Sequence, residues 1–566
     1  MADAVARTVE PSGSVAGRSL RAALVEGRWP AISAVSLLVI GILLRLYFYA
    51  DRRSLWLDEV WLALNIVGRS LLGLTRPLDF SQSAPVGFLW VERAAVIVGG
   101  ANELALRAFP LVTGCLLLVA LWLLARRIFG GTGAVLCLTL AAFSPLLIYY
   151  SSEVKPYISD ALVAVMLMWL AFDVLDAPES RRAWIRLLIG GVIAILFSTP
   201  SIFVLGAAGL ALVADRRIRT RDGWVRLIGT GGVWVLAFAI GYLTLYRATA
   251  TSAYMQRIWA DSFLSPSPRD LIYVLHNASR AFFNEALFAA DEAFVPRKGN
   301  TVVALLSVGG VVWLLRRRGL SIALLVVAPC LVVFAASFAR HWPLVPRLMV
   351  FLVPTLALLV TAGALGAAAF VPARFRGLVL AAVGAFLVIP AARFDTITMK
   401  DPRPRDDAAP LIREFHATAT PGDSNGRIMY VLGHAVVPWV YYTARWREKQ
   451  GPSFEYATTR ANTAQHFATR ACIDQEPGMR AVFSGMGAKW DSDSTLDAEA
   501  AWLASQPERD VWVLAISYEQ HLVRKLDAEM LKHGATRTLE RRRNGAAMVR
   551  YRFPNEPVTV AATCDS

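Results

Sequence analysis

Charge is what this chain has least of. Asp, Glu, Lys and Arg make up 18% of its 566 residues, while 56% are apolar; soluble domains carry about 25% charged residues. With a mean hydropathy of +0.47, this excludes a disordered or fibrous chain and a string of ordinary soluble domains. Cysteine is scarce as well. Five in the whole chain are too few for a disulfide-built fold. Cys115, Cys137 and Cys330 fall in apolar runs, where a thiol packs as a small hydrophobe. Cys472 and Cys564 are the pair open to one disulfide if their side of the membrane is oxidising. The seven histidines form no HExxH, HxH or Cys/His cluster, which excludes a dedicated His-rich zinc centre. No Walker A lysine motif is present, so an ATP-driven pump is excluded too.

What is abundant is apolar runs near the roughly 20 residues that span a bilayer. They fall at about 31–50, 108–126, 132–150, 158–175, 183–197, 200–214, 227–246, 301–315, 319–338, 348–370 and 377–391, eleven in all. Basic residues cluster between them: Arg126-Arg127, Arg181-Arg182, Arg216-Arg217, Arg316-Arg317-Arg318, and Arg374 with Arg376. Short basic loops mark the cytoplasmic side. The net charge of +15 is therefore a topology signal and not a nucleic-acid footprint. Both ends of 183–214 are basic, so Ser198-Thr199-Pro200-Ser201 is expected to turn a hairpin.

Residues 1–30 read as a cytoplasmic tail. Four segments then face outward: the loop 51–107, the turn Ser151–Pro156, the loop 247–300 and the turn Arg340–Arg347. Within the first, Leu55–Leu74 and Val86–Val98 are apolar enough to lie in the interface as helices. After a charged, Pro-containing linker, residues 400–566 read as a soluble α/β domain on the outer side. Its expected strands are Arg427–Leu432 and Val511–Ser517, followed by a helix Glu519–Gly534 and a hairpin, Thr536–Arg541 with Ala546–Phe553. This part has no GxGxxG, P-loop or GxSxG motif.

Three polar groups stand at the outer boundary. Asp58-Glu59, in Leu55-Trp56-Leu57-Asp58-Glu59, puts adjacent carboxylates beside an apolar surface. Desolvation raises a carboxylate's pKa, which suits a general base; two solvated interface acids are the plain alternative. Ser151-Ser152-Glu153-Val154-Lys155-Pro156-Tyr157 joins two spans with almost no loop. There Glu153 and Lys155 either pair with each other or hold a phosphate. Arg340-His341-Trp342-Pro343-Leu344-Val345-Pro346-Arg347 places cations outside, against the charge rule. Lipid phosphate, held by Arg's fork, and ordinary headgroup contact both account for it. Arg107 invites the same argument.

In this order, with Asn102-Glu103-Leu104-Ala105-Leu106-Arg107 and Arg347–Pro354, these segments resemble the GT-C membrane glycosyltransferases. Within them, the likeness is to the bacterial branch related to protein O-mannosyltransferases and the aminoarabinose transferase of lipid A. The resemblance spans roughly residues 30–395. It implies an α-helical polytopic membrane protein of GT-C type with about 11 spans, residues 31–395 being catalytic, beside the C-terminal α/β domain 400–566. It further implies a polyprenyl-phosphate sugar donor and inverting transfer to an acceptor hydroxyl. Asp58 would be the general base, and Glu59 would orient it or help bind the acceptor. Glu153 would hold a divalent metal or the donor. Lys155, Tyr157 and Arg347 would surround the donor phosphate, with Arg107 and Arg340 as further candidates. Many relatives carry Arg where this turn carries Lys155, which is a point charge without a fork.

A divalent ion (Mg, Mn or Zn) is the one cofactor the pattern leaves room for, and His276 in the third outer loop is a further candidate ligand. The expected partners are the lipid-linked donor, an acceptor (lipid-linked glycan, polysaccharide or protein) and the bilayer. Composition suggests a bacterial inner membrane. Two other readings compete. A flippase or transporter of lipid-linked saccharide would show inverted repeats and mid-membrane charges; no convincing repeat is present. A non-catalytic assembly protein of envelope polysaccharide would leave Asp58 and Glu153 without a role.

Overall fold

The structure is a computed structural model that describes residues 28–288, 293, 295–400, 405–418, 426–443, 458, 471–476, 479–484 and 493–554. Most of the expected N-terminal tail, and Cys564 of the expected disulfide, lie outside the described residues.

Leaving short turns unnumbered, the helices run α1 (Arg28–Ala50), α2 (Leu57–Gly68), α3 (Val86–Gly99), α4 (Glu103–Phe129), α5 (Gly131–Ala142), α6 (Pro145–Tyr150) and α7 (Tyr157–Asp176). Then come α8 (Arg181–Phe197), α9 (Ser201–Ala214), α10 (Arg221–Gly241), α11 (Pro268–Leu287), α12 (Gly299–Arg318), α13 (Leu320–Phe338), α14 (Val353–Ala368) and α15 (Ala373–Lys400). Among the described residues, eight helices are long and apolar enough to cross a membrane. The other three expected spans fall on shorter helices. The run 132–150 is broken at Ser144-Pro145, where Ser144 Oγ caps Leu147 N–H (3.4 Å) and donates to the Ala286 carbonyl (2.6 Å). Residues 183–214 form a hairpin, α8 and α9, turning at Ser198–Pro200. The third outer segment is not simply a loop, since it contains the strongly amphipathic α11.

The Arg clusters gather at one end of the bundle. Arg127 pairs with Asp173 (2.7 Å) and Asp176 (2.6 Å), and Arg318 donates to the Ile128 carbonyl (2.7 Å). Helices α12 and α14 cross so closely that a Cβ at Gly310 would lie 2.0 Å from the Leu359 carbonyl oxygen, and one at Gly363 1.9 Å from that of Leu306. Small residues permit such backbone contact between membrane helices.

The opposite end carries α2, α3 and the α/β layer. That layer adds α16 (Ala408–Ala417), α17 (Val436–Thr443), α18 (Asp493–Ser505) and α19 (Gln520–Lys532) to six strands: β1 (Arg427–Val431), β2 (Ala471–Glu476), β3 (Met479–Phe483), β4 (Asp510–Ile516), β5 (Thr536–Arg543) and β6 (Ala546–Arg552). The sheet order is β2-β3-β1-β4-β6-β5. β1 runs parallel to β3 and β4, and the remaining pairs are antiparallel. Side chains alternate between the two faces, as strand geometry requires. Ile428, Tyr430, Val511 and Val513 join the core with α18 and α19. Met429, Val431, Trp512 and Leu514 face α16 and α17.

This second core continues into the membrane part. It includes Val60, Ala63, Leu64 and Val67 of α2, with Phe88 and Leu89 of α3. α2 is therefore not a helix lying open in the interface. Its apolar residues point all round because the α/β layer covers it.

Candidate functional site

The site forms where residues 53–59, the start of α4, the turn 151–157, the segment before α14 and the first residues of the α/β layer converge. The turn comes first. α4 has glycine at position 114, where a Cβ would lie 2.2 Å from Ser151 Oγ, so the turn can nest against the helix. Ser151 Oγ donates to the Leu147 carbonyl (2.6 Å), and Lys155 N–H to that of Glu153 (2.7 Å). Pro156 then leads into α7. The result is a tight, water-excluded turn in which Glu153 and Lys155 are both buried.

Adjacent residues on a helix point about 100° apart, so Asp58 and Glu59 face different surroundings. Glu59 turns inward and is fully buried. Arg107 grips both its oxygens, Nε to Oε1 at 2.9 Å and Nη2 to Oε2 at 2.7 Å. Glu59 also accepts Val154 N–H (2.9 Å) and Trp56 N–H (3.2 Å). Arg107 donates further to the Arg53 and Ser54 carbonyls. This satisfied fork ties α2, α4 and the turn together.

Asp58 points away from that fork and pairs with Arg347 (2.5 Å). The Arg347 guanidinium also lies 5.0 Å from the Trp259 ring centroid. Lys155 Nζ donates to Gln82 Oε1 (2.8 Å). Burial pushes the Lys155 ammonium down from its ordinary pKa, with Asp58 opposing the shift. Tyr149, Tyr150 and Tyr157 line the floor, consecutive ring centroids lying 5.1 and 5.0 Å apart.

Glu153 accepts from Arg53 (2.8 Å) and from Trp56 Nε1 (2.5 Å). Burial and the Glu59 carboxylate push its pKa up, against Arg53 and Arg107. These surroundings do not fit a divalent ion. Both oxygens of Glu153 are taken by N–H donors, and its charged neighbours are largely cations. Among the described residues, no three His, Cys, Asp or Glu gather anywhere as a ligand set. The expected metal role of Glu153 is corrected accordingly.

Of the residues expected from sequence, Asp58, Glu59, Arg107, Glu153, Lys155, Tyr157 and Arg347 are brought together. Arg107 is buried inside the Glu59 fork rather than exposed to a phosphate. Arg340 is exposed, with its guanidinium over Phe263 (5.1 Å), and has no contact with the cluster. His276 is exposed on α11. Sequence reasoning missed Arg53, Trp56, Gln82, Tyr149, Tyr150, Trp259, Glu285 and Arg405. Burial raises the Glu285 carboxyl, with Arg405 and Arg347 opposing, which puts Glu285 within electrostatic reach of the pocket. Arg53 and Trp56 flank Asp58 in sequence and were the most readable of these.

The fold has counterparts in known proteins. Residues 83–242 match the family model for dolichyl-phosphate-mannose-protein mannosyltransferase. The fold matches ArnT from Cupriavidus metallidurans in the apo state (TM-score 0.51) and bound to undecaprenyl phosphate (TM-score 0.50). Each is 13% identical, with 92% of this chain and 98% of that chain covered. More distant is the archaeal oligosaccharyltransferase AglB from Archaeoglobus fulgidus in complex with an inhibitory peptide and a dolichol-phosphate. Its TM-score is 0.48 at 13% identity, covering 92% of this chain and 74% of that one. No curated protein matches the chain significantly in sequence. Residues 83–242, which include the Glu153 turn, thus match a mannosyltransferase family, and over nearly its whole length the chain has the fold of ArnT.

Proposed function

We propose that this chain transfers a glycosyl group from a polyprenyl-phosphate donor to an acceptor hydroxyl by a single inverting displacement. One observation carries the reading: Asp58 and Arg347 form an ion pair within electrostatic reach of Lys155 and Tyr157. An apolar cavity of about 200 Å³, lined by Phe282, Phe334, Leu344, Met349, Leu352 and Leu356, lies alongside. Leu344 and Met349 flank Arg347 in the chain, so a prenyl tail in the cavity would bring its phosphate to that guanidinium. The undecaprenyl phosphate bound to ArnT supports this ligand class.

In this mechanism the donor phosphate takes Arg347 in a fork and gains the Lys155 ammonium and the Tyr157 hydroxyl. Asp58 loses its cationic partner at that moment and becomes the stronger base. The acceptor oxygen bonds to the anomeric carbon while the bond from that carbon to the phosphate oxygen breaks. The acceptor proton passes to Asp58, and the departing polyprenyl phosphate keeps the electron pair. The transition state is oxocarbenium-like, and fixed cations stabilise the charge growing on the phosphate. Glu59 acts through Arg107 to fix the turn of α2 that carries Asp58.

Residues 31–395 form the catalytic domain on this reading, with 400–566 on the outer side of a bacterial inner membrane and the N-terminus cytoplasmic. The acceptor is a protein hydroxyl, a lipid-linked glycan or a polysaccharide. The test is transfer in isolated membranes from a panel of labelled polyprenyl-phosphate sugars, wild type against Asp58→Asn at matched expression. Transfer that depends on Asp58 identifies the donor. Transfer that survives Asp58→Asn overturns the assignment of the base.

A further inference from the structure

The linker that reads in sequence as a plain charged connector enters the site. Arg405 lies over the Trp56 ring (4.6 Å to the centroid) and the Tyr149 ring (5.1 Å). Its side chain is within electrostatic reach of Glu153, Glu285 and Arg347. Among the described residues, no hydrogen bond or salt bridge engages its guanidinium, and the residue is exposed. Two rings thus hold a cation toward the pocket while its N–H donors remain unused.

The backbone beneath Arg405 is pinned on both sides. Asp406, itself buried, accepts Leu57 N–H at the start of α2 (3.2 Å) and the Ser517 hydroxyl (2.7 Å). Asp407 accepts the Ser54 hydroxyl (2.6 Å), and its N–H donates to the Asn544 carbonyl (2.8 Å). Gly545 has φ +67°, and a Cβ there would lie 1.5 Å from the Arg405 carbonyl oxygen. Any side chain at position 545 would displace Arg405. Tyr442 of α17 adds a third tie between residues 54–57 and the α/β layer by accepting Leu55 N–H (2.7 Å).

The sheet topology explains why this edge is available. The chain leaves β1 toward β3 on one side and returns to β4 on the other. The crevice at the carboxyl ends of such strands is where open α/β sheets bind ligands. Here Gly433 and His434 follow β1, and Ser517 follows β4. Trp61 of α2 packs against the His434 ring (5.8 Å), and Asp406 bonds Ser517. α2 and the linker occupy the place of a ligand.

We infer that the α/β layer completes the site through its first residues: Arg405 is a further binding residue for the donor phosphate, and Asp406 is a positioning residue that seats both Arg405 and the turn bearing Asp58. This rests on the proposed donor. Arg405 joins Arg347 and Lys155 around the pocket, and its guanidinium offers the fork that Lys155 lacks.

The experiment uses the full chain in lipid nanodiscs, with undecaprenyl phosphate and neutral undecaprenol as probes. Wild type should prefer the phosphate. Arg405→Ala should weaken phosphate binding about ten- to a hundredfold, the range for one charge-assisted contact, and leave undecaprenol binding unchanged. Arg405→Lys should recover little. Asp406→Ala should weaken phosphate binding in the same direction and speed hydrogen exchange in the peptide containing Leu57. Asp406→Asn, whose Oδ1 can still accept from Leu57 N–H while its NH2 donates to Ser517 Oγ, should restore both. Equal wild-type affinity for the two lipids would overturn the proposed donor itself. A wild-type preference that Arg405→Ala retains would overturn the role of Arg405 alone. Unchanged exchange at Leu57 in Asp406→Ala would overturn the role of Asp406.

Discussion

Glu59 is held by both arms of Arg107, while the preceding residue, Asp58, turns out of that fork to meet Arg347. Two adjacent carboxylates on one helical turn thus divide the work. The buried one fixes the scaffold, and the half-buried one faces the pocket.

The fork should behave as a structural unit. Glu59→Gln or Arg107→Met alone leaves a buried partner unpaired, which typically costs about 3–5 kcal/mol. Each single variant should unfold at a clearly lower temperature in detergent. The double variant Glu59→Leu with Arg107→Met should recover much of the loss. Singles that melt like wild type would refute the arrangement.

Asp58→Asn should separate binding from chemistry. Losing a general base typically costs about 10²- to 10⁴-fold in rate. The same substitution releases Arg347 from its ion pair, so affinity for undecaprenyl phosphate should hold or rise while transfer collapses. A fall in that affinity parallel to the rate would argue that Asp58 binds the donor instead.

Arg347→Lys keeps the charge but removes the fork. The donor KM should rise by about tenfold, the worth of one charge-assisted hydrogen bond. Initial rates against donor concentration test this, and an unchanged KM would remove Arg347 from the phosphate site.

Lys155 links pH to binding. Burial lowers its pKa, so its positive charge is lost as pH rises, sooner than for an exposed lysine. Undecaprenyl phosphate affinity should therefore fall on the alkaline side, at a lower pH than an exposed lysine would set. Lys155→Arg should move that fall upward, because arginine stays charged. Identical profiles for the two proteins would exclude Lys155 as the group responsible.

Glu92 of α3 is fully buried, and among the described residues neither carboxyl oxygen has a hydrogen-bond partner. Burial and the Glu59 charge push its pKa well up. Above the ordinary carboxylate range the unfolded chain releases this proton while the folded chain keeps it. That contribution to stability declines as pH rises, until Glu92 ionises in the fold. Glu92→Gln should melt with a flatter dependence as pH rises above the ordinary carboxylate range. A steeper dependence would contradict the assignment.

Much of the site was readable because charge is so sparse here. In a chain this apolar, Asp58, Lys155 and Arg347 beside the apolar runs each needed an explanation, and their convergence in one cluster supplies it. The orientation of neighbours was not readable. Nothing in Asp58-Glu59 says which carboxylate turns inward, so Arg107 read as a phosphate ligand when it is the partner of Glu59. Arg405 and Asp406 were hidden for another reason. Their contacts with Trp56 and Leu57 join positions far apart in the chain, and Lys400–Asp407 has the composition of any linker. The core strands β1 and β4 and the closing hairpin were legible from apolar runs and turn residues. The apolar character of α2 and α3 was legible as well, but it suited lipid and protein equally, and the α/β layer covers much of it.

That shared core has a bearing on how the protein is made. α2 leaves the ribosome hundreds of residues before β1, so its apolar surface has nothing of its own chain to rest on while the later spans are inserted. During synthesis the bilayer surface, or a chaperone, must shelter Leu57–Val67 until the sheet arrives. The start of α2, which bears Asp58, then acquires its Leu57–Asp406 and Leu55–Tyr442 hydrogen bonds only at the close of assembly. A nascent chain that stalls before the sheet would be inserted in the membrane and inert.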